Sequence, residues 1–415
     1  MNTSASAQRA ATDFRLLWFG QTVSEMGSGI SALAIPLLAI DVLHASAASV
    51  SLVTACETLP YLLFTLPAGA WIDRVTKRSV LITTDVLRAL AIASIPLALA
   101  FDALTLAQLW VVGFVVGTLS VFFSVTYQAY VPFLVEGRDL IKGNSRLEIT
   151  RSGANLASPA LTGILIDALG AAWTIFLDAV SFVVSVVSLG AIATREPVRD
   201  AHVGTTRIRS DIKEGLQFVW NERRIRQVAF CTSTFNFFGS MAGAIFLVFA
   251  RRTLELPASR IGIYMALGSI GGIAGAAIAN RVSGRFGIGH AIIAGAILSG
   301  IGELANPLLT PANAAVLIVL GGAFVSAGAT LYNVSQVSMR QAICPPRLQA
   351  RMNASVRFMV WGTQPLGAVA GGLVATVVGL RATLVVAAIG TFLAIGFVLT
   401  PRIRGIKEIP EQVQD

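Results

Sequence analysis

Residues 69–78 read Gly-Ala-Trp-Ile-Asp-Arg-Val-Thr-Lys-Arg, a short polar turn with one acid and three bases, set between the apolar runs 47–72 and 79–101. Each flanking run is longer than the about 20 residues a helix needs to cross the hydrocarbon of a bilayer. Moving outward in both directions, the alternation of apolar run and polar break continues. Further runs lie at 14–40, 104–132, 145–168, 171–193, 224–250, 258–281, 288–308, 312–336, 352–378 and 381–401, making twelve in all. Stretches such as Val-Val-Ser-Val-Val-Ser-Leu-Gly-Ala-Ile-Ala show no two-residue alternation, so barrel strands are excluded.

Composition agrees. Of 415 residues, 55% are hydrophobic and 13% charged, with a mean hydropathy of +0.74. A soluble surface needs roughly 25–35% Lys, Arg, Glu and Asp. The chain is therefore an all-α integral membrane protein. Its net charge of +9 is a matter of location. With the N-terminus inside, 24 of the 31 Lys and Arg fall in the N-terminal segment, the even-numbered loops, the central loop and the tail, and only Arg251, Arg252, Arg260 and Arg381 lie on the opposite face. That bias places both termini in the cytoplasm. It removes the case for nucleic-acid binding. The polar N-terminus, with no small-residue cleavage site after a short apolar core, marks the first run as a retained helix. Three cysteines without paired spacing and three histidines give no metal or disulfide pattern, and no GxxxxGK[ST] loop indicates ATP as an energy source. No cofactor and no covalent chemistry are expected.

The longest polar stretch, 194–223, divides six spans from six. This gives an N-terminal six-helix bundle over 1–193, a cytoplasmic linker over 194–223, and a C-terminal bundle with a cytoplasmic tail over 224–415. The halves partly repeat. A constant offset of 209 pairs Arg138 with Arg347, Asn144 with Asn353, Gly170 with Gly379 and Thr174 with Thr383, and Asp73-Arg74 has a decayed counterpart in Asn280-Arg281. Weak parallel-type symmetry of this kind is expected where a substrate site lies between two related bundles. In the linker, Ile212, Leu216, Val219 and Trp220 share one helical face, which predicts an amphipathic helix on the cytoplasmic membrane surface.

The loop at 69–78 resembles the signature of the major facilitator superfamily, matching at Gly69, Asp73, Arg74, Lys77 and Arg78. Asp85 with Arg88, the Gly-Arg-Asp-Leu-Ile-Lys-Gly-Asn-Ser and Pro-Arg-Leu-Gln-Ala-Arg-Met-Asn-Ala-Ser loops, and Glu-Gly-Leu-Gln-Phe-Val-Trp before the seventh span are similar to the bacterial exporter branch that contains macrolide-efflux and enterobactin-exporter proteins. The resemblance covers nearly the whole chain. It implies two pseudo-symmetric six-helix bundles, alternating access, and a conformational latch at Asp73 and Arg74 with Asp85 and Arg88 as nearby partners. On physical grounds Gly69 is expected to let the second helix approach a neighbour, and the basic residues to hold the loop at anionic headgroups. In the fifth span, Ala154, Ser158-Pro159, Thr162 and Gly163 are similar to the antiporter signature with three glycines replaced, and Gln364-Pro365 in the eleventh span is a candidate counterpart. Small residues there permit tight packing, and proline bends the rod.

An ionisable side chain at membrane depth is a functional candidate by default. Glu25 is 11 residues into the first span, roughly 16 Å deep. Glu57 reaches similar depth from the other side, and Asp178 is 7 residues into the sixth. Glu25 and Glu57, then Asp178, are candidates for proton coupling or substrate binding. Glu303 lies near an outer end, and Arg151 and Arg357 are close enough to the cytoplasm to snorkel. Gln21, Tyr127, Gln128, Asn236, Tyr332, Asn333 and Gln336 are the cavity candidates. The reading is a monomeric exporter of a small, largely apolar organic compound, an antibiotic or siderophore-like metabolite, working by proton antiport in the bacterial plasma membrane; protons or another cation, the substrate and the bilayer are its partners. The alternatives are an importer or facilitator of the same fold and a non-transporting membrane sensor.

Overall fold

The computed structural model of the chain describes residues 2–72, 75–134, 140–194 and 208–406. Among them are helices and no strands. The helices are α1 (Asn2–Asp41), α2 (Ala47–Ile72), α3 (Lys77–Ala100), α4 (Leu106–Leu134), α5 (Leu140–Leu169) and α6 (Ala171–Gly190). The linker follows as α7 (Ile208–Asn221), and then α8 (Arg223–Arg252), α9 (Ala258–Ser269), α10 (Gly271–Phe286), α11 (Ile288–Glu303), α12 (Ala314–Ile343), α13 (Gln349–Trp361), α14 (Thr363–Val378), α15 (Leu380–Ile395) and the short α16 (Pro401–Arg404). All twelve predicted spans are occupied by helix, and ten helical spans among the described residues, counting α9 with α10 and α13 with α14 as one each, are long and apolar enough to cross a membrane.

Two spans are broken, and each break has a local cause. Between α9 and α10 the chain turns at Ile270, beside Gly268, Gly271 and Gly272. Between α13 and α14 it turns at Gly362, where Pro365 has no amide hydrogen to give to Trp361, four residues earlier.

Chain contacts divide the molecule into two compact units. The first holds Met1–Ala45, Cys56–Thr205 and Pro257–Gly262, and the second Ser46–Ala55, Thr206–Leu256 and Ile263–Asp415. The core of the first includes Phe14, Leu17, Leu81, Phe123, Tyr130 and Leu189. The second is built around Val228, Cys231, Ile292, Tyr332, Met339 and Met352. Large apolar side chains also point outward, among them Val377, Leu393, Val187 and Leu90, each more than 60% exposed. In water that surface would drive aggregation; in a bilayer it is the lipid-facing surface.

With no hydrophobic drive between helices in lipid, close packing of small residues has to hold them. In the first unit, Gly20, Ser24, Gly27 and Ser31 form one face of α1 and meet Asp178, Ser181, Ser185 and Ser188 of α6. A Cβ at Gly20 would run into Ser185 and Ser188, and one at Gly27 into Asp178 and Ser181. The packing motif of α5 behaves in the same way. Ala154, Ser158 and Thr162 are buried, the Ser158 side chain fills the space left by Gly29, and Gly163 packs on the Ala258 carbonyl.

The linker helix packs within the second unit. Gly215 seats α7 against the Arg351 carbonyl of α13, Val219 is buried, and Glu214 pairs with Arg351. Trp220, expected on the apolar face, is 57% exposed. The side chain of Ile212 lies outside the described residues.

Candidate functional site

Within the first unit, α1, α2, α3, α4 and α6 enclose a cavity of about 220 Å³. Both Glu57 and Asp178 line it, together with the hydroxyls of Ser28, Ser31, Thr58, Tyr61 and Ser120 and an apolar wall that includes Ile92, Val116 and Phe182. Asp178 is 1% exposed and accepts a hydrogen bond from Ser181 Oγ at 3.1 Å. Its position is set by Gly27, whose missing side chain is what lets α1 close over it. Gly117 plays the same part for Glu57: it brings α4 against the Glu57 carbonyl. Ser31 is 4% exposed and its hydroxyl stands beside Asp178. No basic side chain lines the cavity among the described residues.

Behind Phe182 lies a buried ion pair. Arg88 donates to Asp85 one turn earlier on α3, and both side chains are almost wholly enclosed. The guanidinium is sandwiched between Phe123, 4.3 Å from its centroid, and Phe182, at 4.5 Å. A cation between two ring faces gains from both quadrupoles. Asp85 Oδ2 and Arg88 Nε have no hydrogen-bond partner among the described residues. Both side chains fall on the inward stripe of α3 with Leu81, Thr84 and Ile92, which brings them together; their expected part beside Asp73 and Arg74 falls on a loop outside the described residues.

Of the other loop residues, Asp73 and Arg74 lie outside the described residues. Among the described residues, nothing stands within 4 Å of where a Cβ at Gly69 would be. Arg78 reaches the end of α6, with Nε donating to the Leu189 carbonyl at 3.0 Å and a second nitrogen to that of Gly190. A cation at unsatisfied C-terminal carbonyls is well placed. Lys77 opens α3. Nearby, Asp13 of α1 accepts hydrogen bonds from the Ala193 and Thr194 amides at 3.1 and 2.9 Å. Sequence reading did not single out Asp13, Ser31, Tyr61 or Phe182.

Glu25 does not line the cavity; it is half-buried and accepts from Gln21 Nε2 at 2.7 Å. Tyr127 stacks on Phe123, with ring centroids 5.9 Å apart, and its buried hydroxyl has no hydrogen-bond partner among the described residues. Gln128 is exposed on the same helix. In the second unit, Asn236 Nδ2 donates to the Val360 carbonyl at 3.0 Å, next to the break before α14. Tyr332 is a core residue of the second unit: it is 5% exposed, and its hydroxyl contacts Thr232 Oγ1 at 2.9 Å and the Val228 carbonyl at 3.2 Å. Gln336 is buried and donates to the exposed Asn333 at 3.3 Å. Arg151 is exposed and paired with Glu148 at 3.1 Å.

A second concavity of the first unit, about 720 Å³, lies among α2, α3 and α4. Phe64, Trp71, Leu87, Leu119 and Phe122 give it apolar walls. Trp71 and Phe122 meet edge to face with centroids 5.5 Å apart.

Several known proteins share this chain's pattern. It is 28% identical over 402 residues to the multidrug efflux pump Tap of Mycolicibacterium fortuitum, covering 94% of this chain and 96% of that one. To the protein of the same name in Mycobacterium bovis (strain BCG / Pasteur 1173P2) it is 25% identical over 381 residues, covering 89% and 88%. Among solved structures, the nucleoside transporter NupG superposes with a TM-score of 0.73 at 12% identity, covering 93% of this chain and 98% of that one. A bacterial homologue of the iron transporter ferroportin gives 0.75 at 16%, covering 94% and 98%. These likenesses show the fold. The model of the transmembrane secretion effector family matches residues 3–414, and with it the chain belongs to that family of the major facilitator superfamily, a multi-pass membrane transporter rather than an enzyme.

Proposed function

We propose that the protein is a secondary active exporter of small, largely apolar organic compounds, driven by the binding and release of a proton or another cation at Glu57 and Asp178. The observation that carries this reading is the shared cavity: two carboxylates at membrane depth, with no basic side chain on its wall. Burying a carboxylate without a cation on the same wall costs free energy, which favours a bound proton or cation in such a cavity. A site that must be loaded can couple its loading to a change of access. Deep placement on α2 and α6 and a wall built by close packing through Gly27 and Gly117 support the same reading.

The apolar cleft of the first unit has the volume of a drug-sized ligand and walls suited to a lipophilic one. Relatives named as multidrug efflux pumps favour outward transport of foreign compounds. The excess of Lys and Arg in one set of loops favours cytoplasmic termini, with the chain in the bacterial plasma membrane.

Efflux of a panel of lipophilic antibiotics from expressing cells, with and without a protonophore, tests the proposal. Reduced accumulation that a protonophore abolishes is expected, with Glu57→Gln and Asp178→Asn abolishing it as well. If accumulation of every compound is unchanged, the exporter reading fails. If efflux persists undiminished in both variants, the assigned coupling site is wrong.

A further inference from the structure

A second site lies far along the chain from the carboxylate cavity, at the junction of α7, α8 and α16 in the second unit. Asn221, Glu222, Arg223, Arg224 and Arg402 surround a cavity of about 490 Å³. Its charge is not self-cancelling. Glu222 is the N-cap of α8, accepting from the Arg224 amide at 3.2 Å, and it also binds Arg224 Nε at 2.9 Å. That neutralises Glu222 and one arginine. Arg223 and Arg402 are both exposed and remain as two positive charges on the wall.

Arg402 is held in place. Thr400 Oγ1 meets Gln227 Oε1 of α8 at 3.0 Å, Ile403 is fully buried, and the Ile406 carbonyl accepts from the Gly289 amide at 3.0 Å. Beside this basic cavity an aromatic ladder leads onto the apolar surface. The Arg226 guanidinium lies 5.5 Å over the Trp220 ring, Trp220 meets Phe230 edge to face at 6.0 Å, and Phe230 contacts Phe397 at 5.8 Å. Trp220 and Phe397 are 57% and 41% exposed, and Leu399 beside them is 55% exposed.

We infer that this cavity binds the phosphate headgroup of an anionic phospholipid, with an acyl chain laid along Trp220, Phe230 and Phe397. Arginine matches phosphate by charge and by its planar fork, tryptophan belongs at the headgroup level, and basic pockets at helix ends hold anionic headgroups. A free phosphate would satisfy the arginines and leave the exposed aromatic ladder unused. A lipid uses both halves. The bound lipid would tie the α7–α8 corner to the C-terminal segment, since Arg223 stands near the middle of the chain and Arg402 near its C-terminal end.

The test uses the full chain purified in a neutral detergent. Phosphatidylglycerol, phosphatidylcholine and inorganic phosphate are titrated separately, and bound lipid is counted by native mass spectrometry. Phosphatidylglycerol is expected to bind at least about tenfold more tightly than phosphatidylcholine, and the Arg223→Gln/Arg402→Gln variant to lose roughly ten- to thirtyfold of that affinity. Trp220→Ala should weaken phosphatidylglycerol with every charge intact, by a few-fold. The control is Arg281→Gln/Arg285→Gln near the end of α10, which should change nothing. Equal binding of the two lipids, equal loss in the control variant, an unaltered affinity in Arg223→Gln/Arg402→Gln, or displacement of the lipid by millimolar phosphate would overturn the inference. A shift in elution volume marks a misfolded variant, and Trp220→Ala then decides alone.

Discussion

Gly170 and Gly379, 209 residues apart, hold the same left-handed backbone, φ 82° and ψ 160° against φ 85° and ψ 164°, each as the N-cap of a span. The threonine four residues on completes the likeness. Thr174 Oγ1 donates to the Gly170 carbonyl at 2.9 Å and Thr383 Oγ1 to that of Gly379 at 2.8 Å. A comparable pair ends the first and seventh spans. His44 and Glu255 are both left-handed, at φ 49° and 54°, and behind each the following amide, of Ala45 or of Leu256, bonds the carbonyl six residues back at 2.9 and 3.0 Å. Two sequences that have diverged in their apolar text keep the backbone devices that start and stop corresponding helices.

Nothing stands within 4 Å of a Cβ at Gly170 or Gly379, so a substitution there is opposed by backbone conformation alone. Gly170→Ala and Gly379→Ala should each cost about 1–3 kcal/mol, the strain of holding a residue with a side chain in a backbone region that is essentially reserved for glycine. Thermal unfolding of the purified protein in detergent measures it. Equal losses are expected, and a cost at one position without the other would break the equivalence of the halves.

Gly27 and Gly69 offer the opposite contrast within one bundle. A Cβ at Gly27 meets Asp178 and Ser181, whereas at Gly69 it meets open space. Gly27→Ala should push α1 off α6, destabilise the protein by about 1–3 kcal/mol as overpacking does, and reduce efflux by displacing Asp178. Gly69→Ala should leave stability within about 1 kcal/mol and efflux intact. The comparison is read from Tm and transport rate together, and a transport defect in Gly69→Ala would mean that the glycine acts through a second conformation.

How far the chain was legible from its residues follows from which property each reading needed. Span number and position depend on apolar run length, and helices occur at all the positions read. Which side of a span a carboxylate faces depends on partner helices. Glu25 and Asp178 are both deep, but the Gly27 and Ser31 stripe selects α6, so Asp178 is enclosed while Glu25 turns to Gln21. The spacing of Gly20, Ser24, Gly27 and Ser31, read as one face of a helix, was the available signal. The burial of Tyr332 depends on a distant element in the same way: its hydroxyl finds partners in α8, three spans earlier, and nothing local announces them. The break before α14 was foreshadowed by Pro365; that before α10 rests on a cluster of glycines within a run that reads as uniformly apolar.

Asp85 and Arg88 form a buried pair whose halves depend on each other. Removing one partner leaves an uncompensated charge in the bundle, at a cost of about 3–5 kcal/mol, while replacing both with apolar groups is often close to neutral. Asp85→Leu and Arg88→Met alone should therefore lower the yield of folded protein sharply, and the double variant should recover most of it. Fluorescence-detected size-exclusion profiles report the outcome. Arg88→Met is expected to be the more damaging single change, since it also empties the space between Phe123 and Phe182.

The two carboxylates of the cavity should act as a unit, and a mutant cycle can show it. If Glu57 and Asp178 serve one coupling event, Glu57→Gln and Asp178→Asn each remove most of the driven efflux, and the double variant is no worse than the poorer single, because residues that act together are not additive. Independent roles predict that the losses multiply. Glu25→Gln supplies the internal reference. Its carboxylate is held by Gln21 and is absent from the cavity wall, so efflux should fall by less than about threefold, the scale of one neutral hydrogen bond weakened at a half-exposed position. Initial rates of protonophore-sensitive efflux in energised cells, corrected for protein level, give all four values. A severe loss in Glu25→Gln with near-normal Asp178→Asn would move the coupling site onto α1 and away from the cavity.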